Sequence, residues 1–192
     1  MLHALIVDDH PAVLGGLVSA LRSEPGLVPV ATATGMSEAL AEADRHIPDV
    51  ALIDYQLADG DGLALCQELK RLAAPPAVLI YSAFARRELV LAATVAGADG
   101  MVDKGTPLDE LFDAIRAVAR GGKAMPALRP EAVEQTVRRV DPDDLPILGM
   151  RLDGATLTEI ATVMQLDEGE LSRRVAALLG RLAGPAAVGD RR

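Results

Sequence analysis

Four charged residues stand where short apolar runs of the chain stop. Asp8 and Asp9 follow "LHALIV", Asp54 ends "DVALID", and Lys104 closely follows "DGMV". These runs are rich in Val, Ile, Leu and Ala, and each precedes a helix-like stretch, which is typical of buried parallel strands. Side chains just past the carboxyl ends of parallel strands collect in one crevice. The sequence therefore predicts one site that holds three carboxylates and a lysine.

The chemistry of such a site follows from its charges. Three carboxylates in one crevice repel each other unless a cation joins them, and an oxygen-rich, cysteine-free set of ligands favours Mg²⁺. Lys104 adds a fixed positive charge. An oxygen nucleophile, a divalent metal and a cation for phosphoryl oxygens are the equipment for phosphoryl transfer. We therefore predict a Mg²⁺ cofactor and phosphoryl chemistry.

Composition excludes several classes of protein. No apolar run approaches the ~20 residues that a membrane span needs, so we expect no membrane insertion. The start, "MLHALIVDDH", lacks the basic region of a signal peptide. Cys66 is the single cysteine, which excludes an internal disulfide and suits a reducing compartment. We expect a cytoplasmic protein.

The order of predicted elements divides the chain into parts. Five strands alternate with five helices over residues 1–122, which predicts an α/β domain with a right-handed, doubly wound parallel sheet of five strands. Glycine and proline then break the pattern, so residues 123–139 are interpreted as a linker. Residues 140–183 show no strand pattern and are predicted to form several short helices. Residues 184–192 are expected to be a frayed tail.

The first part resembles the flavodoxin-like receiver domain of two-component response regulators. Five residues carry the resemblance, each at the end of its own predicted strand or beside another of the set: Asp8, Asp9, Asp54, Ser82 and Lys104. Any one of them alone is a weak signal, because a strand-end Asp can merely cap a helix and a lysine can merely be solvated. Together they are specific. The resemblance implies a phosphoacceptor domain whose partner is a sensor histidine kinase.

The resemblance also implies a role for each acidic residue. Asp54 is the expected nucleophile and would accept a phosphoryl group from a phosphohistidine. Asp9 is expected to bind Mg²⁺ directly and Asp8 through water, with Asp54 and the backbone carbonyl of Gln56 completing the protein ligands. The three histidines have no partner at metal-ligand spacing and are interpreted as surface or strand-end residues.

The switch residues match the receiver pattern with one departure. Lys104 is expected to pair with Asp54 and then with the phosphoryl group, and the Ser82 hydroxyl to move onto a phosphoryl oxygen. Receivers usually carry a Tyr or Phe three residues before the lysine, where this chain has Met101. Methionine has no phenol to donate a hydrogen bond. Tyr81 and Phe84 flank Ser82 and are candidates to share that role.

Residues 140–183 resemble the helix-turn-helix of the NarL/FixJ, or LuxR-type, regulators. "TLTEIATVM" occupies the place of the scaffold helix and "DEGELSRRVAALLGRLA" that of the recognition helix. Pro146 lies inside the first helix of the pattern, where it should kink or shorten that helix. The candidate DNA contacts, all on the recognition helix, are Ser172, Arg173, Arg174 and Arg181.

Charge argues against strong DNA binding and leaves two functions open. The chain has a net charge of −9, and from Arg129 onward it has nine Arg, no Lys and eleven acidic residues. One reading is a transcription regulator that binds DNA, as a homodimer. The alternative is a receiver whose helical domain only binds protein or dimerises. An enzyme of the haloacid-dehalogenase type is a poor fit, because its nucleophile lies on the first strand, so we expect no enzyme.

Overall fold

A computed structural model describes residues 1–83, 87–127, 133–134, 137–138 and 140–183. The chain forms two compact units, one of Met1–Ala85 with Ala98–Pro126, the other of Arg86–Gly97 with Ala127–Arg192. The predicted tail and parts of the predicted linker lie outside the described residues. None of the helices within the described ranges has the length and apolar character needed to cross a membrane.

A five-stranded parallel sheet forms the centre of the first unit, as predicted. The strands lie side by side in the order β2-β1-β3-β6-β7. Every neighbouring pair is parallel. The strand bounds are β1 (Leu2–Val7), β2 (Leu27–Ala33), β3 (Val50–Asp54), β6 (Ala77–Ser82) and β7 (Gly100–Asp103), with a small hairpin of β4 (Gln56–Leu57) and β5 (Gly60–Asp61).

Helices of the first unit cover both faces of this sheet. Their bounds are α1 (Pro11–Ser23), α2 (Met36–His46), α3 (Gly62–Leu69) and α5 (Leu108–Ala119). One buried cluster joins the apolar sides of α1 and α5 to alternate residues of β1, β3 and β6, whereas α2 contacts α3 and β1. Pro11 sits in the first turn of α1, where its missing N–H costs nothing. Because successive side chains of a strand point to opposite faces of the sheet, an apolar layer is buried on each face.

The β4–β5 hairpin was not predicted from the sequence, and it fixes the chain just after Asp54. The Asp59 carboxylate at its tip accepts a hydrogen bond from the Met36 backbone N–H at 2.9 Å, at the start of α2. A side chain at Gly35 would collide with that carboxylate at 2.7 Å. Asp61 then caps α3 by accepting from the N–H groups of Leu63 and Ala64. These hydrogen bonds fix the tip of the hairpin to the start of α2 and its end to the start of α3.

Asp99 lies directly before β7, at the amino end of that strand, and binds two lysines and the main chain of β6. Its carboxylate accepts hydrogen bonds from Lys70 at 2.5 Å, Lys123 at 2.8 Å and the Val78 backbone N–H at 2.8 Å. Burial alone would raise the pKa of Asp99, but the hydrogen bonds from the two lysines outweigh it, and the pKa lies below its ordinary value. Ala124, at the start of the predicted linker, bridges to Gly100 as an extended segment.

The second unit is helical in its described residues. Its helices are α4 (Arg87–Ala96), a 3₁₀ turn (Pro142–Asp144), α6 (Leu145–Leu152), α7 (Leu157–Met164) and α8 (Glu168–Ala183). The buried side of α8 consists of Leu171, Val175, Leu178, Leu179 and Leu182. Helix α8 contacts α4 and α7, and α4 also contacts α6. The Arg151 Nε group of α6 donates to the Val95 carbonyl of α4 at 2.8 Å.

Helices α7 and α8 form the helix-turn-helix that the sequence predicts. Thr156 and Glu159 make a reciprocal capping box at the start of α7, and Gln165 ends that helix in the left-handed region with φ of 54°. Pro146 lies in the first turn of α6, which begins only at Leu145. The proline therefore shortens this helix, and a 3₁₀ turn takes the place of its first residues.

Candidate functional site

The candidate site lies at the carboxyl edge of the parallel sheet. Asp8 follows β1, Asp54 ends β3, Ser82 ends β6, and Lys104 follows β7. These four strands are neighbours in the sheet. Parallel pairing brings their carboxyl ends to one edge, so residues 96 positions apart in the chain come into hydrogen-bond contact. The structure thus assembles the acidic residues and the lysine as predicted.

Lys104 joins two of the buried carboxylates. Its Nζ lies 2.6 Å from Asp8 Oδ2 and 3.0 Å from Asp54 Oδ2. The Asp8 and Asp54 side chains are only 1% and 7% exposed. Burial raises the pKa of Asp54, and the hydrogen bond from Lys104 offsets this only in part. Burial would lower the pKa of Lys104, but hydrogen bonds to Asp8 and Asp54 leave it raised, so the lysine is a permanent cation.

Asp9 has a buried carboxylate oxygen that no donor in the described residues satisfies. Asp9 Oδ1 is inaccessible to solvent and accepts no hydrogen bond. Ligand atoms of Asp8, Asp9, His10 and Asp54 all lie within 4.8 Å of one another. A buried carboxylate oxygen without a donor is costly unless a cation compensates it. The donor set therefore fits Mg²⁺, as the sequence predicts.

The His10 side chain is 69% exposed, as predicted for a surface residue, but it also lies beside two aspartates, a contact that was not predicted from the sequence. Its Nδ1 lies 2.6 Å from Asp9 Oδ1 without forming a hydrogen bond, and 3.3 Å from Asp8 Oδ1. Its backbone N–H donates to Asp8 Oδ1 at 2.9 Å. The sequence contained a signal, because an N-cap residue directly after two strand-end aspartates must lie at the same edge of the sheet. We overlooked it because it matches no metal-ligand spacing.

The chain after Asp54 turns back closely upon it. The backbone N–H of Gln56 donates to the Asp54 carboxylate. A Cβ at Gly62 would lie 2.3 Å from the Asp54 carbonyl oxygen, so only glycine fits this close approach. The Gly62 N–H also donates to the Tyr55 carbonyl at 2.8 Å. The role of the Gln56 carbonyl as a metal ligand stays a prediction.

Two of the three predicted switch residues, Ser82 and Met101, are buried. Ser82 is 2% exposed at the end of β6, and its carbonyl accepts from the Lys104 backbone N–H at 2.9 Å. Met101 is 2% exposed in β7, next to Ile80 of β6. Phe84, the other aromatic candidate, lies outside the described residues. Tyr81 is buried, and its ring faces Lys104.

Two of the predicted DNA-contacting arginines point to an acidic turn of their own unit. Arg174 Nε donates to the buried Asp144 carboxylate at 2.8 Å, and another of its nitrogens donates to the Asp143 carbonyl. Arg181 lies 3.5 Å from the other oxygen of Asp144. The Arg174 side chain is 21% exposed. These contacts connect α8 to the 3₁₀ turn before α6.

The other two predicted DNA contacts lie nearer to solvent. The Arg173 side chain is 71% exposed and pairs with Glu170, one helical turn earlier, at 2.5 Å. Such exposed pairs contribute little to stability, so Arg173 can exchange its partner at small cost. The Ser172 hydroxyl donates to the Glu168 carbonyl within α8. Of the three arginines, Arg173 is the most accessible.

Replacing Lys104 by methionine should destabilise the first unit in a pH-dependent way. The Lys104→Met protein keeps two buried carboxylates without their cation, and we expect a loss of about 2 kcal/mol in the free energy of unfolding at neutral pH. Because the raised pKa of Asp54 favours its protonated form in the folded state, the loss should shrink as the pH falls through that pKa. It should vanish below the ordinary carboxyl pKa.

Denaturant titrations between about pH 3 and pH 8 measure this loss. Lys123→Met is the matched control, because the Lys123 side chain is 62% exposed and pairs with Asp99 at the far edge of the sheet. A loss for Lys104→Met that stays constant with pH would contradict the electrostatic role of the lysine.

Comparison with known proteins agrees with the geometry of the site. Residues 4–116 match the response regulator receiver domain. The DNA-binding transcriptional activator DevR/DosR of Mycobacterium tuberculosis is 32% identical, over 95% of this chain and 88% of its own length. The nitrate/nitrite response regulator NarP of Escherichia coli is 30% identical, over 93% and 87% of the two chains.

A solved structure shares the same arrangement. A LuxR-family two-component response regulator from an Aurantimonas species superposes with a TM-score of 0.62 at 28% identity, covering 72% of this chain and 96% of the other. The receiver match spans more than half of this chain, and the relatives extend over both of its parts. The chain belongs to the response regulator receiver family and is a two-component response regulator of the NarL subfamily.

Proposed function

We propose that this chain accepts a phosphoryl group at Asp54 from a sensor histidine kinase and regulates transcription by binding DNA. The role of Asp54 as phosphoacceptor is supported by the buried ion pair of Lys104 with Asp8 and Asp54, which lies beside the unsatisfied oxygen of Asp9. A reactive carboxylate is thereby held next to a fixed cation and a set of metal ligands.

Asp8, Asp9 and Asp54 would hold Mg²⁺ at this edge of the sheet. When bound, the metal supplies positive charge to the oxygens of the transferring phosphoryl group. Lys104 can serve the same oxygens, since its ammonium already lies 3.0 Å from Asp54. The backbone N–H of Gln56 orients the Asp54 carboxylate. The chain's own residues thus position the nucleophile and place a cation beside it.

The transfer itself needs little covalent chemistry from the protein. An Asp54 oxygen attacks phosphorus, a new O–P bond forms, and the P–N bond of the donor phosphohistidine breaks. The leaving imidazole keeps the electron pair and takes up a proton. Ser82, at the end of the neighbouring strand, is the hydroxyl that can then donate to a phosphoryl oxygen.

Asp54→Asn should abolish phosphorylation while leaving the fold intact. The amide cannot act as the nucleophile, but it fills the same volume and removes a charge that burial disfavours. Incubation with acetyl phosphate and Mg²⁺, followed by intact-protein mass spectrometry, should show the added phosphoryl group on the unchanged protein and not on Asp54→Asn. Asp113→Asn, an exposed carboxylate on α5, should label normally. Labelling of Asp54→Asn at the unchanged rate would refute the assignment.

The second half of the proposal is supported by the helix-turn-helix and by the relatives. Helices α7 and α8 have the cap, turn and apolar packing of that motif. DevR/DosR matches over 95% of this chain and is a DNA-binding transcriptional activator. The alternative, a helical unit that only binds protein, is therefore not favoured. We infer a homodimer on the DNA, since half-sites call for proteins with two-fold symmetry.

We expect two different roles for the arginines of α8. Arg173 is the expected phosphate contact, because it is exposed and its pairing with Glu170 is weak. Arg174 is expected to stabilise the helical unit, because its removal leaves the buried Asp144 carboxylate with fewer donors. Arg181 pairs with the same carboxylate at a longer distance, so its removal should destabilise the helical unit less than the removal of Arg174 does.

Arg173→Ala should therefore weaken DNA binding without changing the melting temperature. Arg174→Ala should instead lower the free energy of unfolding of the helical unit by about 1–3 kcal/mol. The matched control is Arg45→Ala on α2, which removes an exposed arginine that also pairs with a glutamate one helical turn away. Binding to a genomic fragment pool at low salt, with sedimentation of the complexes, measures affinity and stoichiometry. Unchanged affinity of Arg173→Ala would contradict this role.

A further inference from the structure

Tyr81 contacts Lys104 at two places. The Lys104 Nζ lies 5.7 Å from the centroid of the Tyr81 ring, within the range in which a cation is attracted to an aromatic face. The Tyr81 hydroxyl also donates to the Lys104 backbone carbonyl at 3.3 Å. One aromatic residue therefore constrains both the ammonium group and the main chain of this lysine.

The position of Tyr81 in the sheet explains these contacts. It lies in β6 directly before Ser82, in register with Asp54 of β3 and with Val102 of β7. Tyr81 is 8% exposed and belongs to the buried cluster that includes Leu111, Phe112 and Ile115 of α5. Burial raises the pKa of Tyr81, so the phenol keeps its proton and remains a donor.

Met101 lies on the other face of the sheet. It is in register with Ile80, and residues in register on parallel strands share a face, whereas Tyr81 lies one position further along β6. Met101 is buried and carries no polar hydrogen. It cannot make the hydrogen bonds of a phenol, and Tyr81 is the described aromatic residue that contacts the site.

We propose that Tyr81 is the positioning residue for Lys104 and the aromatic group that senses phosphorylation in this chain. The proposal rests on the proposed function of Asp54. A phosphoryl group at Asp54 adds negative charge within reach of the Lys104 ammonium. The ammonium moves toward the phosphoryl oxygens, its position over the ring changes, and the environment of Tyr81 changes with it.

The composition of the chain makes the contact directly observable. It contains three lysines, of which Lys104 is one, so a protein labelled with ¹³C-lysine gives three side-chain signals in an NMR spectrum. The ring should shift the Lys104 Cε signal upfield. Tyr81→Leu should abolish that shift and leave the other two signals in place, whereas Tyr81→Phe should keep it. Beryllofluoride with Mg²⁺ should move this one signal in the unchanged protein and in Tyr81→Phe.

The sensing role is tested on a protein with a single tyrosine. The chain has two tyrosines and no tryptophan, so in Tyr55→Phe all tyrosine emission comes from Tyr81. Loading with beryllofluoride and Mg²⁺, with occupancy followed by ¹⁹F NMR, should change this emission in proportion to occupancy. The change should be lost, at equal occupancy, when Lys104→Met is added. Tyr81→Leu should also weaken loading several-fold, and Tyr81→Phe should restore most of it.

The outcomes separate this proposal from the proposed function. Full occupancy without a change in Tyr81 emission, or a Lys104 signal that is insensitive to Tyr81→Leu, overturns the role of Tyr81 and leaves Asp54 as the phosphoacceptor. If neither the unchanged protein nor the folded Tyr55→Phe protein binds beryllofluoride, both proposals are overturned. Asp54 would then not accept the phosphoryl analogue to which Tyr81 is proposed to respond.

Discussion

The bridge from Lys104 to Asp8 and Asp54 is the interaction on which the rest of the site depends. Two carboxylates that are almost fully buried would repel each other and lose their hydration, and a lysine within 3.0 Å of both compensates them. The bridge joins the ends of three strands that are far apart in the chain. The same three groups hold a nucleophile beside a cation, so the contact that stabilises the edge of the sheet also prepares its chemistry.

The sheet and most of the site could be predicted because they leave strong local signals. Each buried parallel strand is a short apolar run, and the charged residue after it must lie at the shared edge. Asp8, Asp54, Ser82 and Lys104 were found in this way. The β4–β5 hairpin was missed because each of its strands has only two residues, too few to show a period. Its position depends instead on the contact of Asp59 with the start of α2, 23 residues earlier.

Contacts between distant elements account for what the sequence could not predict. The pattern around Arg174 suggested a cation on the DNA-facing side of α8, but Asp144, 30 residues away, accepts its hydrogen bond. Helix α4 was assigned to the first domain by its place between two strands, within the residues 4–116 that match the receiver family, and its contacts with α6 and α8 are a further pairing that the sequence pattern does not reveal. Tyr81 was one of two aromatic candidates, and only its register beside Asp54 shows that its ring reaches Lys104.

The residue that carries the phosphoryl group can be identified chemically. The protein is incubated with a phosphoryl donor and Mg²⁺, reduced with borohydride, which converts an acyl phosphate of aspartate to homoserine, and digested for peptide mass spectrometry. We expect homoserine at position 54, and only when Mg²⁺ is present. Homoserine at Asp8 or Asp9, or phosphate retained on a hydroxyl or imidazole group after reduction, would contradict it.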